Sequence, residues 1–86
     1  MRRKWIKAKV YISYKDGILD PQGKTVGSAL NSMGIEGIKD VRIGKYIELS
    51  FSDIPKSEAK LIADKSCRIL LANPNTETFR FDIVED

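Results

Sequence analysis

Residues 38–51 have the sequence IKDVRIGKYIELSF, and this stretch decides which fold the chain can adopt. Apolar residues alternate with polar ones both before and after the pair Gly44-Lys45. A period of two is typical of a strand with one buried face, and a glycine-containing break between two such runs favours a turn. We therefore predict a β-hairpin with strands at residues 38–43 and 46–51.

The apolar pattern also predicts how the two strands of this hairpin pair. If both apolar sets face the core, Ile43 lies opposite Ile47, and Gly44, Lys45 and Tyr46 form a three-residue loop. A slip of one residue would turn every side chain to the opposite face of the sheet. The three-residue loop, or a bulge of equal effect, is therefore preferred to a two-residue turn.

A strand and a helix are predicted before the hairpin. Residues 5–14 alternate strictly, with Ile6, Ala8, Val10 and Ile12 on one face. Asp20 is a good helix N-cap, and Pro21 suits the first helical position because the amide that it lacks would have no partner there. The spacing then predicts one helical face made of Val26, Ala29, Leu30 and Met33, with Gly34 as the C-terminal cap.

A second helix and a last strand are predicted after the hairpin. The helix spans residues 55–72 and ends before Pro74, because proline disfavours helical geometry in the residue before it. Its apolar stripe consists of Ala59, Ile62, Ala63, Cys67, Leu70 and Leu71. The last strand spans residues 78–84 and carries Phe79, Phe81 and Ile83 on one face.

The predicted order of elements is β-α-β-β-α-β, which is the ferredoxin-like arrangement of an α+β protein. It implies a four-stranded antiparallel sheet of strand order 4-1-3-2 with both helices on one face. We expect residues 1–86 to form one domain, in which residues 1–4 are a basic N-terminal extension.

One face of this sheet has no helix to cover it. Its composition, with aromatic residues and both signs of charge, resembles that of a protein interface, although an ordinary solvated face is the alternative. A chain of this length buries only about 60–65% of its unfolded surface, so a partner would add needed burial. The candidate interface residues are Trp5, Lys7, Lys9, Tyr11, Arg80 and Asp82, together with Arg42. Arg42 could pair with a carboxylate of a partner, and the alternative is an ordinary solvent-exposed arginine.

Composition excludes several kinds of chemistry. The chain has no histidine and one cysteine, which rules out an internal disulfide, a zinc site and histidine-based catalysis. We predict no catalytic, cofactor-binding or metal-binding residue, and we expect Cys67 to be buried. The net charge of +3 is scattered, which favours no nucleic-acid partner. The sequence has no apolar run long enough for a membrane and no signal peptide, so we expect a cytoplasmic protein.

Three stretches together resemble one family. They are KDGILDPQGKTVGSAL at residues 15–30, VRIGKYIEL at 41–49 and CRILLANP at 67–74. In order and spacing they are similar to the PurS subunits of phosphoribosylformylglycinamidine synthase. The chain departs from the family pattern at Asn75–Thr78, and the role of that loop is left open.

The resemblance implies a ferredoxin-like subunit without catalytic residues that dimerises. It also implies assembly with a PurL-type synthetase subunit, which binds ATP and magnesium, and with a PurQ-type glutaminase subunit, which releases ammonia. The small subunit would join these two and support ammonia transfer in purine biosynthesis. The alternative from another class is a regulatory domain of similar fold that senses a small molecule, and a nucleic-acid binder is a third.

Overall fold

The structure is a computed structural model that describes residues 5–85, so the predicted extension at residues 1–4 lies outside it. Its elements are β1 (Trp5–Tyr14), α1 (Pro21–Ser32), β2 (Lys45–Ser52), α2 (Lys56–Ser66) and β3 (Glu77–Glu85), and α2 continues as a short π-helix, Cys67–Leu71. Within these residues the fold is α+β, with two α-helices and a three-stranded antiparallel sheet of order β2-β1-β3.

The central strand of the sheet is β1, which the predicted strand order also places between two neighbours. It pairs with β2 from Trp5 to Ile12 and with β3 from Ile6 to Tyr14. Its apolar face is fully covered, since Ile6, Ala8, Val10 and Ile12 are all buried. The expectation that the first and last strands are neighbours is confirmed.

The core lies between this face and α2. The helix contributes Ala59, Ala63 and then Cys67, and their small side chains let it approach β1 and β3 closely. Burial raises the pKa of the Cys67 thiol, and nearby Asp64 raises it further. A buried thiol of raised pKa is a poor nucleophile, in agreement with the expected packing role of Cys67.

The predicted hairpin is wrong in this structure. Residues 38–43 form no strand, and the chain does not reverse at Gly44, which has no positive φ angle. Instead the chain continues from residue 42 into β2 past the end of β1. The Arg42 guanidinium donates to the Tyr14 carbonyl oxygen, so the alignment of β1 with β2 continues beyond the last ladder pair, Ile12 with Lys45. The described residues therefore form three strands and not four.

The prediction that both helices cover one face is also wrong. The apolar stripe of α1 is largely exposed, with Met33 at 75%, and Gly23 is the buried residue of this helix. Gly23 and Gly27 face Val41 of the extended segment. We call α1 together with residues 35–43 the arm, and the rest of the fold the body. The arm makes the molecule long and thin, with principal extents of 55 × 31 × 15 Å.

Candidate protein–protein interfaces

The open face is the side of the sheet opposite α2, and aromatic rings lie at its centre. The rings of Tyr11 and Tyr46 are 5.3 Å apart at an angle of 41°. The Arg80 guanidinium lies 4.1 Å from the centre of the Tyr11 ring, and Lys7 lies 5.6 Å from that of Trp5. Such cation–π pairs place flat, partly apolar groups beside charges, as interfaces often do.

Several charges on the open face are paired within the chain. Glu48 accepts a hydrogen bond from the Tyr46 hydroxyl at 2.6 Å and pairs with the Lys7 ammonium at 3.2 Å. The hydrogen bond to Glu48 is the main cause that raises the pKa of Tyr46 to about 12. The bonds from Tyr46 and Lys7 lower the pKa of Glu48. Arg80 and Asp82 pair at 3.5 Å. Exposed pairs contribute little stability, so their effect is to fix side-chain positions on this face.

The structure brings most of the predicted interface residues together. Trp5, Lys7, Lys9, Tyr11, Arg80 and Asp82 belong to the neighbouring strands β1 and β3. Arg42 does not join them, because its guanidinium is held at the end of β1. Tyr46 and Glu48 were missed, although the alternation of β2 places them opposite the apolar Ile47 and Leu49.

A polar joint fixes the arm to the body. Asp20 caps α1, as predicted, by accepting from the Gly23 amide at 2.8 Å, and its other oxygen accepts from the Ile43 amide at 2.7 Å. Both bonds lower the pKa of Asp20, and the bond from Gly23 has the larger effect. Arg42 donates to the carbonyl oxygens of Tyr14 at 2.6 Å and Lys15 at 3.3 Å.

The joint continues across the sheet through Lys45. Its ammonium donates to the Leu71 carbonyl oxygen at 3.1 Å, where a positive charge favours a helix C-terminus, and pairs with Glu77 at 3.4 Å. Glu77 also accepts from the Asn73 amide at 2.8 Å. The three sequence stretches that carry the family resemblance therefore meet at one place. The divergent segment Asn75–Thr78 follows directly, and its last two residues belong to β3 and not to a loop.

Part of the apolar face of the sheet is not fully covered by α2. Because α2 packs on β1 and β3, the side chains of Ile47, Leu49 and Phe51 on β2 are only half-buried. The Arg68 guanidinium lies 5.5 Å from the centre of the Phe79 ring on β3, and Ile62 on α2 is 39% exposed.

A cleft of about 630 Å³ separates α1 from residues 38–42. Asp20 is its buried polar side chain, and both carboxylate oxygens already accept backbone hydrogen bonds. Asp20 therefore serves the fold. Within residues 5–85, no group of three or more acidic, histidine or cysteine residues could hold a metal ion, and no helix is long and apolar enough to cross a membrane.

Comparison with known proteins gives a consistent result. The family model "PurS: Phosphoribosylformylglycinamidine (FGAM) synthase" matches residues 7–85. The PurS subunit of Bacillus subtilis is 46% identical over 81 residues, which cover 92% of this chain and 93% of that protein. The PurS subunit of Synechocystis is 39% identical over 75 residues, covering 87% of this chain and 75% of that protein.

Solved structures share the fold over nearly the whole chain. The B. subtilis PurS crystal structure has a TM-score of 0.82 at 40% identity and covers 92% of this chain and 98% of its own. A chain in the structure of PurLQS from Thermotoga maritima has a TM-score of 0.84 at 29% identity, covering 93% and 98%. Sequence and structure thus agree, and the chain belongs to the PurS family of phosphoribosylformylglycinamidine (FGAM) synthase.

Proposed function

We propose that this chain is a non-catalytic subunit of FGAM synthase that joins a PurL-type synthetase subunit to a PurQ-type glutaminase subunit in purine biosynthesis. The complex would convert formylglycinamide ribonucleotide, ATP and glutamine to formylglycinamidine ribonucleotide in the cytoplasm. ATP and magnesium would bind to the synthetase subunit, and no cofactor would bind to this chain.

The observation that carries the proposal is the exposed aromatic and apolar surface of a chain that matches PurS subunits over nearly its whole length. The open face presents fixed aromatic and charged groups, and Leu19, Met33 and Ile35, which lie in the arm or beside it, are exposed. Large exposed apolar side chains are costly on a protein that acts alone. The relative from T. maritima belongs to a structure described as PurLQS, which supports assembly with two other subunits.

A joining subunit helps this chemistry without supplying a catalytic group. Ammonia must reach the synthetase as the free base, and bulk water at neutral pH would protonate most of it and dilute it. Holding the two active subunits together raises the effective concentration of ammonia at the second site. The chain itself has no histidine to act as a general base.

We also propose that the subunit is a homodimer or a higher oligomer. The exposed apolar residues of the arm support this, since a chain of this length gains stability from a partner. The four-stranded sheet of order 4-1-3-2 is a proposal for the assembled protein only. There residues 38–43 would find a strand to pair with.

The bridging proposal is tested by reconstitution. The synthetase and glutaminase subunits are mixed with and without this chain, and product is measured with glutamine and with an ammonium salt. We expect omission to cause a large loss with glutamine and a small one with ammonium, because external ammonium supplies the nucleophile by mass action. Tyr11→Asp, on the open face, should reduce the glutamine-dependent rate, whereas Lys60→Asp, on an exposed side of α2, should not.

Two outcomes would contradict this account. If omission abolishes both activities equally, the chain shapes the synthetase site and does not join two sites. If both variants have the same effect, the open face is not the surface that binds the other subunits.

A further inference from the structure

We propose that the open face carries a binding site for a nucleotide, in which Arg80 and two hydroxyl groups bind the phosphate and Tyr46 stacks on the base. The site is a depression of about 490 Å³ near the C-terminal end of β1. Its hydroxyl, aromatic and guanidinium groups belong to Tyr11, Ser13, Tyr46, Thr78 and Arg80. The bridging role requires no such ligand, so this inference goes beyond the proposed function and does not depend on it.

The pairing of three strands brings these groups together. Tyr11 on β1 lies opposite Tyr46 on β2 and opposite Arg80 on β3, and Ser13 lies opposite Thr78. Because side chains two residues apart on a strand point to the same face, all five project from the open face. The sheet therefore holds them in fixed relative positions, as a binding site requires.

The charge of the lining favours an anion. Two basic residues, Lys45 and Arg80, line the depression, and no acidic residue of the described chain does so. The Lys45 ammonium is already bound at the end of the π-helix, so Arg80 is the cation that is available to a ligand. The cleft beside α1 is different, because acidic Asp20 and Asp40 line it together with its basic residues.

Arg80 has donors to spare for a phosphate group. Its guanidinium lies 4.1 Å from the centre of the Tyr11 ring, and its ion pair with Asp82 spans 3.5 Å. It donates no hydrogen bond within residues 5–85, although a guanidinium has five N–H donors. A guanidinium can bind two oxygens of one phosphate at once, and Asp82 does not line the depression.

Two hydroxyl groups and a second arginine complete the phosphate site. Ser13 and Thr78 are exposed, and their hydroxyls make no hydrogen bond in the part of the chain that the structure describes. Both residues also line an adjoining depression, where Arg42 lies with its exposed partner Asp16. A phosphate ester carries about 1.5–2 negative charges at pH 7, so a second cation beside the hydroxyls stabilises it further.

Tyr46 offers a flat surface for the base. It is 51% exposed, and the hydrogen bond from its hydroxyl to Glu48, at 2.6 Å, restrains the ring. The ring lies 5.3 Å from that of Tyr11, which in turn contacts Arg80, so one nucleotide can reach both the ring of Tyr46 and the guanidinium. Stacking tolerates any base, so we expect selectivity for nucleotides as a class and little preference among bases.

Calorimetric titration of the full chain tests the site with four probes. They are adenosine monophosphate, ribose 5-phosphate, adenosine and inorganic phosphate, each in a buffer without phosphate. We expect adenosine monophosphate to bind about tenfold more tightly than any of the others, because it alone combines a phosphate ester with a base that can stack. Ribose 5-phosphate should bind second, through the phosphate site alone.

Matched variants assign the two halves of the ligand. Arg80→Gln should weaken the binding of adenosine monophosphate and of ribose 5-phosphate about tenfold, because it removes charged hydrogen bonds. Tyr46→Ala should weaken adenosine monophosphate about tenfold and leave ribose 5-phosphate unchanged. The control is Arg68→Gln, which removes the same charge from an arginine 5.5 Å from the Phe79 ring, on the α2 side of the sheet. It should change neither affinity.

Three results would overturn the inference. The first is no binding of adenosine monophosphate at millimolar concentration. The second is an equal loss in Arg80→Gln and Arg68→Gln, which would mean unspecific attraction to the net positive charge. The third is inorganic phosphate that binds as tightly as adenosine monophosphate, which would leave no role for Tyr46. None of these results changes the outcome of the reconstitution, so the bridging proposal is tested separately.

Discussion

The two helices use the same device with different results. Small residues on one side let each helix approach its neighbour closely: Gly23 and Gly27 in α1, Ala59 and Ala63 in α2. The neighbour of α2 is the sheet, which covers the inner side of the helix and forms the core with it. The neighbour of α1 is the single segment at residues 35–43, and Val26 stays exposed while Leu30 is only half-buried. The comparison shows that close packing through small residues buries the larger apolar side chains of a helix only when the neighbouring element is as wide as a sheet.

Stability within a single chain therefore resides in the body. The largest fully buried side chains among the described residues are Ile12, Val10 and Cys67, all in β1 or the α2 segment. The joint holds the arm by a few polar contacts, which contribute about 1 kcal/mol each. The apolar surface of the arm remains available for assembly.

The largest expected effect tests the body. Ile12→Ala should lower the free energy of unfolding by about 2–5 kcal/mol, because it removes a buried side chain and leaves a cavity. Leu61→Ala, at a side chain 71% exposed on the outer side of α2, should change it by less than about 0.5 kcal/mol. Urea denaturation measures both. Similar losses in the two variants would show that α2 is buried on its outer side as well.

A smaller effect tests how α1 contacts Val41. The Cβ atom of Gly23→Ala would collide with the Val41 carbonyl oxygen, whereas that of Gly27→Ala would make an ordinary contact with the Val41 side chain at 3.5 Å. We expect Gly23→Ala to destabilise the protein by about 1–3 kcal/mol. Gly27→Ala should be neutral or stabilise by up to about 1 kcal/mol, because alanine favours the helix.

Thermal and urea denaturation of this matched pair report the difference directly. Equal effects of the two substitutions would mean that α1 does not lie against residues 38–43 in solution, and the comparison between the two helices would lose its basis.

The smallest effect concerns the joint and depends on pH. The hydrogen bonds from Gly23 and Ile43 lower the folded-state pKa of Asp20. A lowered pKa stabilises the folded protein above the unfolded pKa of about 3.9, and this stabilisation is lost as the pH falls toward the folded value. Between pH 6 and pH 3, the denaturation midpoint should fall more steeply in the unmodified chain than in Asp20→Asn. Parallel curves would show that Asp20 is not held as a carboxylate.

Local sequence signals predict much of the body correctly. The alternation of residues 5–14 places β1 with the right bounds and the right buried face. Asp20 caps α1, and Gly34 has the predicted positive φ, of 83°. Each of these signals acts over a few residues, so neighbouring side chains and backbone groups are enough to determine the outcome.

The end of α2 shows where such signals fail. Helical spacing predicts Leu70 in the buried stripe, but it is 80% exposed. After Ser66 the chain winds as a π-helix, with the Ala72 amide bonded to the Cys67 carbonyl oxygen at 3.1 Å. Wider winding rotates the following residues away from the expected direction. No residue type in this segment signals the change, and the Leu71 carbonyl oxygen at its end accepts from Lys45, which is distant in the sequence.

The candidate interface was likewise predicted in part from local signals and in part not. The alternation of β1 and of β3 predicts which residues share the open face, and the pairing of the two strands brings Tyr11 next to Arg80. The position of Arg42 could not be predicted, because it depends on whether the chain reverses at Gly44. Arg42 contacts Tyr14 and Lys15 because the chain does not reverse there.

The sequence by itself determined that residues 45–52 form a strand with one apolar face, since a period of two needs no knowledge of the partner strand. Only the tertiary structure decided that the chain does not reverse at Gly44. A chain that turns back there and one that continues have the same alternation of apolar residues, so the alternation does not distinguish them. What distinguishes them is the close fit of Gly44 against Ile12 and the hydrogen bond from Ile43 to Asp20, and both join residues that are distant in the sequence.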